Sequence, residues 1–144
     1  MGLENGIYIK PKTHRAKEYL RDSWSDLDII KLSDESKAFE IAYFRRYWGL
    51  RHDVLEALDM TEGEINDIDL CGEHPVDRVQ FTRIYDALCI NISKDYYEEH
   101  NGYWDYYIAA KNLGVAIWTV GSMIEDFDSL DLWDEVELGF YDSP

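Results

Sequence analysis

From Tyr106 to Phe127, seven apolar residues recur at alternating spacings of four and three: Tyr106, Ala110, Leu113, Ile117, Val120, Ile124 and Phe127. That period lines them up on one stripe of an α-helix, and a stripe so long needs an equally long surface to cover it. A coiled-coil dimer requires the repeat over more than about three heptads, so the stripe predicts intramolecular core. Gly114 and Gly121 weaken such a helix unless something approaches closely there.

Two further segments carry a helical period. Ile41, Phe44, Trp48, Leu55 and Leu58 share a stripe, with Ser33, Asp34 and Glu35 as N-cap and acidic first turn, which predicts a helix over about 34–58. Arg51 fills the gap in that stripe. It is expected at the stripe's edge with its stem covered and its head solvated; the alternative is an inside position paired to a carboxylate. Pro75 suits the opening of a helix over about 76–93, with Val79, Phe81, Ile84, Leu88 and Ile92 inward. Residues 59–75 hold Gly63, Gly72, Pro75 and a cluster of acids, and read as the longest loop, while residues 13–22 could form one or two helical turns.

Strand signals lie at both ends. Ile7 and Ile9 alternate with Tyr8 and stop at Pro11; Asp28 to Leu32 is a second possible strand; Val136, Leu138 and Phe140 alternate with Glu135, Glu137 and Tyr141. The expected fold is α+β, mainly α. Three principal helices (about 34–58, 76–93 and 103–127) join a small antiparallel sheet made by the N- and C-terminal strands, in one acidic domain, 1–144.

Charge narrows the possible partners. Residues 1–52 carry ten basic and eight acidic side chains; residues 53–144 carry four and twenty-two, so +2 and −18 sum to the net −16. From Ser122 to Pro144 there are eight acids and no base. Such a field repels phosphates, which argues against nucleic acid as a direct partner and favours a basic protein. The apolar fraction of 46% is too high for a disordered acidic tail. The opening residues hold no apolar signal core, and no stretch approaches the roughly 18 apolar residues of a membrane span. Cys71 and Cys89 read as small apolar residues, reduced thiols of a cytoplasmic protein.

Catalytic and metal motifs are weak. Asp126, Asp128, Asp134 and Glu137 match positions one, three, nine and twelve of a calcium loop, but Leu130 stands at position five and Asp131 where the loop needs glycine. His14, His52, His74 and His100 lie in separate segments without zinc spacing. No nucleophile elbow or glycine-rich phosphate loop is present. No catalytic residue, metal or cofactor is therefore expected. The dense aromatic run Tyr96, Tyr97, Tyr103, Trp104, Tyr106 and Tyr107, interspersed with Glu98, Glu99 and Asp105, suits a docking surface.

Several short segments resemble a family of uncharacterised phage and prophage proteins that begin Met-Gly-Leu-Asp-Met-Tyr-Leu. They are Met1–Gly2–Leu3, the run Tyr43 to His52, Cys71–Gly72–Glu73 with Val76 and Cys89, Tyr103 to Leu113, and the end Phe140 to Pro144. The resemblance implies a phage or mobile-element origin and a setting in the bacterial cytoplasm, and carries no activity with it. Together with the charge it predicts a binding protein rather than an enzyme. The expected role is an inhibitor of a host defence nuclease complex, anti-CRISPR or anti-restriction, whose carboxylates occupy a basic nucleic-acid-binding surface as a DNA mimic. The residues expected to touch the partner are Glu98, Glu99, Tyr103, Trp104, Asp105, Glu125, Asp126, Asp128, Asp131, Asp134 and Glu135. The alternative is a small enzyme or ligand-binding domain whose site is assembled from distant residues.

Overall fold

Asn5 to Ile9 is buried on both of its faces, a condition met only by an interior strand. The computed structural model of the chain describes residues 4–45, 47–92 and 103–143, the side chains of 103–109 excepted. In order along the chain come β1 (Glu4–Pro11), α1 (His14–Ser23), β2 (Ile29–Lys31), β3 (Lys37–Arg45), α2 (Trp48–Ala57) and α3 (Glu62–Ile65). They are followed by β4 (Gly72–Val76), α4 (Arg78–Asn91), α5 (Tyr103–Ser129) and β5 (Val136–Ser143), with short 3-10 turns at Ile68–Leu70 and Trp133–Glu135. The strands form one antiparallel sheet in the order β2-β3-β1-β5-β4. None of the helices among the described residues is long and apolar enough to cross a membrane.

This corrects the expected architecture. The terminal strands do pair, Ile7 opposite Phe140, but as the centre of a five-stranded sheet rather than the whole of a small one. Five α-helices, not three, stand beside it among the described residues. The largest departure is the helix expected over 34–58. Residues 34–36 turn a hairpin, Lys37–Arg45 is strand β3, and only Trp48–Ala57 is helical. Asp34 caps no helix: its Oδ1 accepts from the Ser36 N–H at 2.9 Å, a local Asx turn, beside Glu35 at φ 73°.

The helical spacing of Ile41 and Phe44 has a different cause. Ile7 pairs with Ala42 and Tyr8 with Glu40, so Ile41 is an extra residue, a β-bulge. Ile41 and Ala42 both join the core and Phe44 follows two positions later.

Residues 59–75, expected as loop, hold α3, a 3-10 turn and β4. Pro75 lies inside β4, an edge strand, where a missing N–H is tolerated. Helix α4 instead starts at Asp77, whose side chain accepts from Gln80 N while Gln80 returns the bond to Asp77 N. Val79 and Ile92, expected inward, are exposed, and Ala87 and Asn91 are buried with Phe81, Ile84 and Leu88. On α5, Leu113, Val120 and Phe127 are buried, joined by Ala116 and Met123. Tyr85 of α4 lies against Gly121, where a Cβ would come within 2.9 Å of its ring; Gly114 meets no such neighbour.

One core fills the space between the sheet and the helices. The opposite face carries a smaller cluster of Tyr8, Leu32 and Ala38, with Ile30 and Tyr141 against it. Two rings there cover glycines on the facing strand: Tyr8 covers Gly139 and Tyr141 covers Gly6, each a directly opposed pair. A Cβ at either glycine would collide with the ring. Just beyond β2, Ser33 donates its N–H and O–H to Glu73 of β4 at 2.5 and 2.7 Å. The two edge strands of the sheet thus meet across its outer face.

Arg51 takes the inside position, not the expected edge. It is 8% exposed, and its Nε donates to both oxygens of Asp142 at 2.9 and 3.0 Å. Its Nη2 donates to the carbonyl of Ile65 at 2.9 Å, and Asp142 is itself 3% exposed. Desolvation disfavours the guanidinium charge, but the hydrogen bonds and charge of Asp142 outweigh it and push its pKa up.

Arg51→Met is expected to cost about 3–5 kcal/mol in urea unfolding, because it strands a buried carboxylate, and the double variant R51M/D142L should recover most of that loss. A single variant as stable as the parent would contradict the buried pair. Gly139→Ala is expected to cost about 1–3 kcal/mol by driving a methyl group into the Tyr8 ring. Gly114→Ala should instead stabilise α5 by about 0.5–1 kcal/mol. Equal effects at the two glycines would refute the ring contact.

Candidate functional site

The residues expected to bind a partner fall into separate places. Glu98 and Glu99 lie outside the described residues; Tyr103, Trp104 and Asp105 belong to α5 by their backbone, with side chains outside the description, as are the rings of the aromatic run. The remaining ones lie at the end of α5 and in the turn to β5. There three of the six carboxylates, those of Asp126, Asp128 and Glu135, are engaged by the protein itself. Asp126 accepts from the Tyr19 hydroxyl at 2.6 Å. Asp128 accepts from Arg78 at 2.9 Å and from the Trp133 indole at 2.7 Å. Glu135 receives Arg15 and the Thr13 hydroxyl, which hold its carboxyl below the ordinary value. Arg15 also donates to the carbonyls of Leu130 and Asp131 at 2.7 Å, beside the left-handed Asp131 at φ 53°. Glu125 and Asp134 are exposed. These contacts tie α1 and α4 to the end of α5.

A different stretch keeps its charge. From Asp53 to Asp77 the chain carries nine Asp and Glu and no Lys or Arg. Glu56, Asp59, Glu62, Glu64, Asp67, Asp69 and Asp77 are all exposed. Among the described residues one guanidinium forms an ion pair with them, Arg83 to Asp59 at 3.1 Å. Helix N-termini stabilise several of the others. Thr61 and Glu64 form a capping box on α3, Asp67 accepts from Asp69 N at 3.0 Å, and Asp77 caps α4. The backbone and hydroxyl of Thr61 hold the Glu64 carboxyl below its ordinary value. Free N–H groups and the partial positive charge of a helix start satisfy a carboxylate without cancelling it. The ridge formed by α2, α3 and the 3-10 turn is therefore anionic by construction.

His52 sits at its centre. Nε2 lies 2.6 Å from Glu62 and 3.9 Å from Glu56, and Nδ1 lies 3.4 Å from Asp53. Asp53 is fixed in turn by the amide of buried Asn91 at 2.7 Å. His52, Glu56 and Glu62 place one ligand atom each within 4.8 Å of one another, the set among the described residues that could hold a metal ion. A proton competes for that position: the hydrogen bond to Glu62 raises the His52 pKa above 6.5, against the smaller opposing effect of burial.

Cys71 and His74 flank the Arg51–Asp142 pair. The Cys71 thiol lies 3.4 Å from Asp142, and burial and that carboxylate push its pKa up. Burial pushes the His74 pKa down, and its Nε2 has no hydrogen-bond partner among the described residues. Both cysteines are free. Sequence reasoning missed the ridge as a surface, although the absence of Lys and Arg over 53–77 is a signal it could have used. No protein-family model matches the chain, and no curated protein or solved structure matches it.

The His52 ion pairs carry a pH signature. Because the folded pKa is raised, their stabilising effect is complete below the unfolded value of 6.5 and is lost as pH rises through the folded value. Imidazole proton shifts followed by NMR should show His52 titrating above 6.5, and Glu62→Gln should lower that midpoint. A midpoint indifferent to Glu62 would remove this ion pair from the ridge.

Proposed function

We propose that the protein is an anionic interaction module that occupies a basic, nucleic-acid-binding surface of a partner protein. The observation that carries this reading is the exposed ridge from Glu56 to Asp69, six carboxylates met by one guanidinium among the described residues. Exposed carboxylates so closely set along the chain present negative charge on a scale comparable to that of a phosphate backbone. A surface built to bind nucleic acid presents arginine and lysine to such a pattern, and association releases counterions from both sides. The resemblance to phage proteins makes a nuclease complex of bacterial host defence the proposed partner, with the host cytoplasm as the place of action. The ridge adds residues to the surface proposed from sequence, of which Glu125, Asp128, Asp131 and Asp134 are exposed.

Binding to a panel of basic nucleic-acid-binding enzymes, measured at about 50 and about 300 mM salt with and without competing duplex DNA, tests the reading. A true partner should be lost at high salt and displaced by DNA. The triple variant Glu56→Gln, Glu62→Gln, Asp69→Asn should bind at least about tenfold more weakly at low salt. An affinity unmoved by salt and by these substitutions would count decisively against electrostatic occupation of a basic surface.

A further inference from the structure

The outer face of the sheet holds a groove of about 520 Å³ that the ridge does not include. Its floor is Tyr141, Glu40 and Tyr43 on β5 and β3, and its wall is Ile30 and Leu32 of the β2 hairpin. Ser33, bonded to Glu73, closes it where the two edge strands meet. The carboxylates in it are arranged in an unusual way. Tyr141 donates its hydroxyl to Glu40 Oε2 at 2.8 Å, and Tyr43 donates to Glu4 Oε1 at 3.0 Å. Among the described residues neither Glu4 nor Glu40 forms an ion pair with a Lys, Arg or His; the one lysine at the groove, Lys31, pairs with Glu35. Glu73 has both oxygens held by Ser33.

We propose that this groove binds an organic cation, a primary ammonium or guanidinium group on a slender apolar stem. Two carboxylates, Glu4 and Glu40, supply the charge complement, with their orientation fixed by tyrosine hydroxyls; Arg45 stands opposite Glu4 across the β1–β3 pairing, and no ion pair joins them among the described residues. The faces of Tyr43 and Tyr141 supply cation–π attraction, and Ile30 and Leu32 cover the stem. A bare divalent ion suits the site poorly, since calcium or magnesium takes about six oxygens and half of this lining is ring and aliphatic carbon. Burial raises the Glu40 pKa, and the nearby charges of Asp28 and Glu4 add to it while the Tyr141 hydroxyl opposes. An incoming cation relieves that repulsion. Two sources share this chemistry: a free polyamine-like amine, and a lysine or arginine side chain of a partner protein.

The test uses the full chain, cadaverine and agmatine as free cations, and a short blocked peptide containing one lysine and one arginine. Ring-proton shifts of Tyr43 and Tyr141 are followed during titration to about 10 mM. Saturable shifts confined to the groove are expected for at least one probe. Tighter binding of the amines assigns a small-molecule ligand, and tighter binding of the peptide a partner side chain. Glu40→Gln keeps an acceptor for Tyr141, so the fold is expected to survive, and should weaken binding by about tenfold or more. Glu4→Gln should act in the same direction, and the ridge variant Glu62→Gln should have no effect. Affinity should also fall on acidification at a pH above the ordinary glutamate value of 4.5, as Glu40 protonates beside Asp28, Glu4 and Tyr141. If 1-pentanol binds as well as cadaverine, if Glu40→Gln changes nothing, or if no probe shifts either ring, the proposal fails. None of these outcomes depends on the ridge finding its partner.

Discussion

A single buried ion pair joins the sheet to the helices that carry the carboxylate ridge. Arg51 on α2 and Asp142 on β5 are 91 residues apart in the chain and nearly out of contact with solvent. The guanidinium spends its remaining reach on the Ile65 carbonyl, the last residue of α3. Helix α3 is four residues long and buries one side chain, far too little to be stable alone. Its place on the molecule comes from that bond and from its cap. The ridge of carboxylates inherits its geometry from a charge pair beneath it.

The acids divide into two populations with different physical roles. Glu135, Asp128 and Asp142 meet Arg15, Arg78 and Arg51, and join elements distant in the chain. Glu64, Asp67 and Asp77 meet backbone N–H groups at helix starts instead. The first arrangement cancels charge and the second conserves it. A chain with 30 acids and 14 Lys and Arg cannot pair them all, and here arginine is concentrated at the joints. The excess collects where helix termini and solvent tolerate it.

What was legible in the chain follows from which signals are local. The part of the α5 stripe through Leu113, Val120 and Phe127, the core face of α4 through Phe81, Ile84 and Leu88, and the alternation of β5 are periodic and survive in the structure. Strand β3 was read as helix because its bulge at Ile41 inserts one residue, and a period of two with an insertion mimics a spacing of three. Nothing near Arg51 in the chain announces Asp142, so the buried alternative was open but its partner could not be named. The pairing of Tyr8 with Gly139 and Tyr141 with Gly6 is a fact of register. The groove is less legible still, since Glu4, Glu40 and Tyr141 converge only when β1, β3 and β5 lie side by side. The surface acids of 53–77 were visible as composition, while the predominance of backbone and hydroxyl partners over guanidinium ones was not.

The ridge and the groove are both anionic, yet their surroundings give them different physics. On the ridge, exposed carboxylates act through water, where two charges about 4 Å apart interact by about 1 kcal/mol and salt screens them within about 10 Å. Such a field acts at long range and is suited to guiding a large basic surface into register, with little discrimination between one ammonium and another. In the groove, Glu40 is partly desolvated between two rings and a hairpin, so each interaction there is stronger, shorter in range and tied to shape. A cation selected in the groove must fit; a cation attracted to the ridge need only be positive. On the two proposed readings, one chain would combine fast, unselective attraction with a site capable of chemical choice.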